Sequence, residues 1–207
     1  MKSMVTIPLN AQTAQFERLV ALQEAFADVC NALAPLVQRS KVWNRVALHH
    51  MAYRDLRTRF PAMGSQMICN AIYSVSRTCR MVFQAPNSPF HLNRLGDRGL
   101  PLLRFTRLSP VYFDRHTLSL KDGQISMYTL DGRMRFQLAL TPEYERAFLE
   151  NKLYEIVLQR RAGQFCLTFT FEAQREQTEQ QPPATPAEPA GPAESDLPEY
   201  VLIEELA

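Results

Sequence analysis

The feature that most restricts what this chain can fold into is a change of hydrophobic period part-way along it. Up to about residue 83 the apolar residues recur at helical spacing; beyond about residue 100 they alternate with polar ones. Phe16, Leu19, Val20, Phe26, Val29, Leu33 and Val37 mark a first helix from about Gln15, with Asn10 or Thr13 as its expected cap. Pro35 should break or kink it, because proline has no N–H to give the preceding turn. A second helix over about 42–60 places Val42, Val46, His49, Tyr53, Leu56 and Phe60 on one stripe and stops at Pro61. A third, capped by Ser65 after Gly64, carries Ile68, Ala71, Ile72, Val75, Cys79 and Val82 to near Phe83; Pro86 and Pro89 close the region.

Strands follow a loop at about 93–99, and one precedes the helices at 4–9. Met134, Phe136, Leu138 and Leu140 alternate with Arg133, Arg135 and Gln137; Phe165, Leu167, Phe169 and Phe171 alternate with Cys166, Thr168, Thr170 and Glu172. Asp122-Gly123 and Asp131-Gly132 read as tight hairpin turns, where positive φ is required, and Arg161-Ala162-Gly163-Gln164 as a third. A short helix over about 143–149 interrupts the strands. Several short antiparallel strands at this spacing imply a small barrel, so the fold class is α+β. From about Gln174 the sequence turns to Gln, Pro, Ala and Glu, which cannot bury enough apolar surface to offset ordering entropy, and disorder is expected. Within that tail Tyr200, Val201, Leu202 and Ile203 form an apolar cluster suited to docking on a partner or on the body.

Charge is segregated in a way the net value of +2 conceals. Residues 1–175 hold all 23 Lys and Arg against 13 acids, a net +10, whereas 176–207 hold eight acids and no base. Nineteen of the bases are arginine, whose planar fork suits phosphate and stacks on bases. Between Arg39 and Arg107 there are twelve bases and two acids. Arg54 and Arg57 lie three apart on one helix and Arg77 and Arg80 three apart on the next; Arg104 and Arg107 follow at the leading strand. Charges of this kind neutralise phosphates and make binding salt-dependent.

Catalytic patterns are missing: no His-Glu-x-x-His, nucleophile elbow, phosphate loop or paired cysteine doublets occur, and no cofactor is implied. His49-His50 point about 100° apart on a helix and cannot chelate one ion unaided, so one is expected inside and one at the surface. Cys30, Cys69, Cys79 and Cys166 are scattered and read as free thiols. No uninterrupted apolar run approaches the ~20 residues of a membrane span, and the opening residues do not read as a signal peptide. A cytoplasmic location without membrane contact is therefore expected.

The stretch Asn44-Arg45-Val46-Ala47-Leu48-His49-His50-Met51-Ala52-Tyr53-Arg54-Asp55-Leu56-Arg57, then Phe60, Ser65-Gln66-Met67, Ala71-Ile72 and Val75, resembles the amino-terminal half of TnpB. TnpB is the RNA-guided nuclease of insertion sequences related to type V CRISPR effectors. Tyr112-Phe113-Asp114-Arg115 and Ser126 to Arg133 are similar to segments that precede its nuclease domain, and the resemblance covers roughly 4–173. It implies a helical recognition domain inserted into a split wedge barrel that is OB-like: residues 1–12 as first strand, 13–90 as helices, 91–173 as barrel, 174–207 as the tail. It further implies that Arg54, Arg57, Arg77 and Arg80 contact nucleic-acid backbone, RNA or DNA alike; Arg45, Arg104 and Arg107 join them as candidate nucleic-acid-binding residues, and guide-like RNA and duplex DNA are the expected partners. A departure from the family is expected in that no RuvC-type domain, whose clustered carboxylates hold two Mg²⁺ ions, is read in these residues. The expected function is thus nucleic-acid binding without cleavage, as a regulator or as half of a split effector with a separately encoded nuclease subunit. The acidic tail would compete for the arginines or recruit a partner through residues 200–203. The alternative is a protein-interaction module or transposon-derived remnant with no nucleic-acid partner.

Overall fold

A computed structural model describes residues 2–172 and 197–204. The expected disorder of 174–196 and 205–207 lies outside the described residues. The elements run β1 (Lys2–Pro8), α1 (Thr13–Ser40), α2 (Arg45–Arg59), α3 (Ser65–Phe83), α4 (Leu92–Leu95), β2 (Leu102–Phe105), β3 (Val111–Phe113), β4 (Leu118–Lys121), β5 (Gln124–Thr129), β6 (Gly132–Gln137), α5 (Pro142–Glu150), β7 (Lys152–Arg161), β8 (Gln164–Glu172) and β9 (Val201–Glu204).

The strands make three open antiparallel sheets, not the closed barrel expected. Their orders are β1-β8-β7-β3, β2-β9 and β4-β5-β6. Closure would need the two edges of the largest sheet to meet, yet β1 and β3 each pair on one side only, and the remaining strands bond among themselves. β1 pairs with β8 along its whole length, and helices α1 to α3 fall in sequence between β1 and β3, the two edge strands of that sheet. Register puts Val5, Ile7, Ile156, Leu158, Leu167 and Phe169 on one face and Thr6, Val157, Thr168 and Tyr112 on the other. Phe148 of α5 meets Phe169 and Phe171 edge-on at 4.9 and 5.0 Å, and Phe16 of α1 meets Phe165 at 5.2 Å.

Pro35 does not end α1, which runs on to Ser40. One missing N–H costs less here than leaving the last turn: Leu33, Ala34 and Val37 are buried, and Gln38 Nε2 bonds the Leu100 carbonyl at 3.1 Å. Lys41, at φ 56, ends the helix in the left-handed region. Among the described helices α1 alone is long and apolar enough to cross a membrane by length and composition; half of its apolar stretch is buried here inside the fold.

The α2 stripe is rotated from the expected one. Leu48, Ala52 and Leu56 face inward, whereas Val46 is 64% exposed. Asn44 caps this helix, its Oδ1 accepting from the N–H of Val46 and Ala47 at 3.0 and 3.2 Å. His49 is half-buried and stacks on Tyr53 at 4.6 Å; His50 is exposed. The α3 stripe is as expected, with Ile68, Ala71, Ile72, Val75, Cys79 and Val82 all buried. Gly64, not Ser65, is its N-cap residue. The β4–β5 turn has both Asp122 and Gly123 at positive φ, and the β7–β8 turn likewise Ala162 and Gly163. The β5–β6 loop falls one residue earlier than expected, on Leu130-Asp131, and only Gly132 has positive φ.

Residues 197–204 are ordered on the body, which corrects the expected tail there. Strand β9 pairs with β2 from Leu102↔Glu204 to Phe105↔Val201. An unpaired β2 would expose a row of backbone donors and acceptors, and the apolar cluster supplies the missing strand. Docking in cis therefore accounts for Tyr200, Val201 and Ile203, while Leu202 remains 61% exposed.

Candidate nucleic-acid interface

The seven arginines singled out by sequence fall into two groups by element: five on α2 and α3, and two at β2. Arg45, Arg57 and Arg77 gather where α2 and α3 meet. The guanidinium of Arg45 lies over the ring of Tyr73 at 5.3 Å, and Arg57 Nη1 donates to the Met63 carbonyl at 2.6 Å. Both bear on Cys69: burial pushes its thiol up, while Arg45 and Arg57 pull against that shift. Arg54, on the same helix, is exposed and has no ion pair among the described residues. Arg80 is half-buried and has a partner. The second group is Arg104 and Arg107, both exposed. Arg104 Nε meets Glu204 at 2.8 Å, and Arg107 meets Glu24 of α1 at 2.8 Å.

Arg77 belongs to a polar knot that joins the helical excursion to the sheet. Residues 73 and 77 are four apart, so both side chains leave one face of α3. Tyr73 donates its hydroxyl to Glu155 at 2.7 Å, and Arg77 stands 3.9 Å from the same carboxylate, whose side chain is 11% exposed. Tyr112 sits edge-on to Tyr73 at 5.4 Å. Tyr200 closes the knot: its hydroxyl bonds Thr78 at 3.2 Å, and its carbonyl accepts from the Thr106 N–H at 2.9 Å. Burial opposes the charge of Arg77, but Tyr112 and Glu155 outweigh it and hold the guanidinium charged. Burial also raises the phenols of Tyr73, Tyr112 and Tyr200, the first reinforced by Glu155.

Three of the seven arginines thus face carboxylates, one is bound to a carbonyl, and Arg45 and Arg54 present their charge most freely. Sequence reasoning missed the carboxylate partners, since Glu155, Glu204 and Glu24 lie 78, 100 and 83 positions from the arginines they meet. It also missed a second basic surface. On the solvent face of the β4-β5-β6 sheet, Lys121, Arg133 and Arg135 are exposed, and Arg133 lies over the Tyr128 ring at 4.3 Å. The alternation of Arg133, Arg135 and Gln137 carried this signal. The loop arginines Arg94 and Arg98 bond backbone carbonyls, at 3.1 Å to Ser88 and 3.1 Å to Arg94, and so shape their own loop.

Among the described residues no three of His, Cys, Asp and Glu stand close enough to hold a metal ion. Gln66 and the backbone of the β3–β4 turn occupy Asp114, at 2.5 Å from the amide and 3.0 Å from the N–H of His116. The cysteines are free; burial pushes Cys79 up to about 12 and Cys30 up as well. No known family's sequence profile matches the chain, and no curated protein matches it.

Proposed function

We propose that this chain is a nucleic-acid-binding protein that does not cut, similar to the wedge and recognition half of TnpB. It holds guide-like RNA, with target-adjacent duplex DNA as a second ligand, and any cleavage belongs to a separately encoded nuclease subunit. The observation that carries the reading is a body of net charge +10 over residues 1–175 in which helices α1 to α3 fall, in sequence, between the two edge strands β1 and β3 of the large sheet. Phosphates neutralised by the arginines of such a body release counterions.

The test is filter binding of a structured RNA to the purified chain across salt concentrations. Affinity should fall by orders of magnitude between about 50 and 200 mM salt, as for a protein making several phosphate contacts. No retention at the lowest salt, with a preparation free of co-purified nucleic acid, would favour a protein-interaction module instead. Glu204→Gln frees Arg104 while leaving β9 docked, and should tighten nonspecific binding at low salt. Neutralising the five acids of 176–196 (Glu to Gln, Asp to Asn), which spares the docked strand, should tighten it further; equal affinities at every salt concentration would rule out competition by the acidic segment.

A further inference from the structure

The solvent face of the β4-β5-β6 sheet carries three cations, Lys121, Arg133 and Arg135, with no ion pair among the described residues. Register arranges it in rows. Gln124 stands opposite both Lys121 and Gln137, Ser126 opposite both Ser119 and Arg135, and Tyr128 opposite Arg133. Side chains two apart on a strand share a face, so these eight residues form one surface, while Leu118, Ile125, Met127, Met134 and Phe136 are buried behind it. None of the eight is acidic. The nearby turn carboxylate Asp131 is held by Arg18 at 2.6 Å, which keeps it well below the usual carboxylate range. Tyr128 is 45% exposed, and no described element covers the face.

We infer that this sheet face is a binding surface for single-stranded RNA, with a base stacked on the Arg133–Tyr128 pair and phosphates on Arg135 and Lys121. Charge complementarity selects the occupant: three cations without counter-ions attract a polyanion, and the serines and glutamines between them supply donors and acceptors for sugars and base edges. Stacking selects a single strand. The Arg133 guanidinium carbon lies 4.3 Å from the centre of the Tyr128 ring, and a guanidinium backed by a ring offers its outer side to an unpaired base, which a duplex would keep inside its helix. Rows recur about every 7 Å along the strands, which spaces contacts on the scale of one extended nucleotide. This inference rests on the nucleic-acid reading above but assigns the contact to residues outside the helical arginines.

The experiment uses the full chain and a fluorescein-labelled oligouridylate of about twelve residues, followed by anisotropy. Arg133→Lys keeps the charge and loses the plane; it should weaken binding roughly tenfold with the salt slope unchanged. Tyr128→Ala should do the same and Tyr128→Phe should bind as wild type, because the ring suffices. Arg135→Ala should lower the salt slope by about one. Thermal midpoints matching wild type establish that each variant is folded. Arg133→Lys and Tyr128→Ala binding as wild type would overturn the stacking surface while leaving the nucleic-acid reading intact. Wild type that fails to bind any RNA at low salt would end both.

Discussion

Arginine does opposite things in two regions of this molecule. In the junction between α3 and the large sheet, half-buried Arg77 stands beside Tyr73, Tyr112 and Glu155 and serves to lock helix to sheet. On the β4-β5-β6 face, Arg133 and Arg135 stand in solvent with a tyrosine and serines for company. The side chains are the same; enclosure and the presence of a carboxylate decide the role. A buried guanidinium must be satisfied by the protein itself, whereas an exposed one can leave water for a phosphate at little cost. Counting arginines in the sequence therefore overstates how many can serve a ligand.

This contrast can be broken at its strongest point first. Tyr200→Ala removes an aromatic anchor and the hydroxyl that reaches Thr78, and should cost about 3 kcal/mol in urea unfolding. Arg77→Ala leaves the Glu155 carboxylate facing Tyr73 alone and should cost about 2 kcal/mol, less than a fully enclosed pair because the arginine is partly exposed. If Arg77→Ala were neutral, the junction would be no different in kind from the open face. Alkaline titration sharpens the same point. Tyr73, Tyr112 and Tyr200 are raised in the folded state by burial, so they stay protonated where unfolded tyrosines ionise, near pH 10. Stability is then fully present below pH 10 and falls as pH rises beyond it. Tyrosinate absorbance should show three of the seven tyrosines ionising only with unfolding. The smallest effect belongs to the open face: Arg133→Ala with Arg135→Ala should change unfolding free energy by no more than about 0.5 kcal/mol. A larger loss would mean that those arginines also hold the fold together.

What could be read from the sequence divides along the same line between local pattern and distant partner. The α3 stripe from Ile68 to Val82 and the alternation of Phe165 to Phe171 were legible because each helix or strand repeats its period several times. The α2 stripe was not: Val46, His49 and Tyr53 satisfy helical spacing as well as Leu48 and Ala52 do, and only packing against α3 decides between them. Strand β9 escaped for a related reason. Four apolar residues among acids carry no period, and their partner β2 lies about a hundred residues away. Barrel closure was misjudged because strand count does not fix which edges meet. For the arginines, positions and charge were legible but not which of them meet Glu155, Glu204 or Glu24, since those pairings exist only in the tertiary fold.

The pairing of β2 with β9 has a consequence for how the molecule is made. Residues 102–105 leave the ribosome roughly 5–20 s before residues 201–204 do, at ordinary synthesis rates. During that interval the β2 edge and the pocket for Tyr200 stand open on a nascent chain whose β1 also waits for β8. Chaperones, or an extended peptide of similar pattern, have their best access to this edge at that moment.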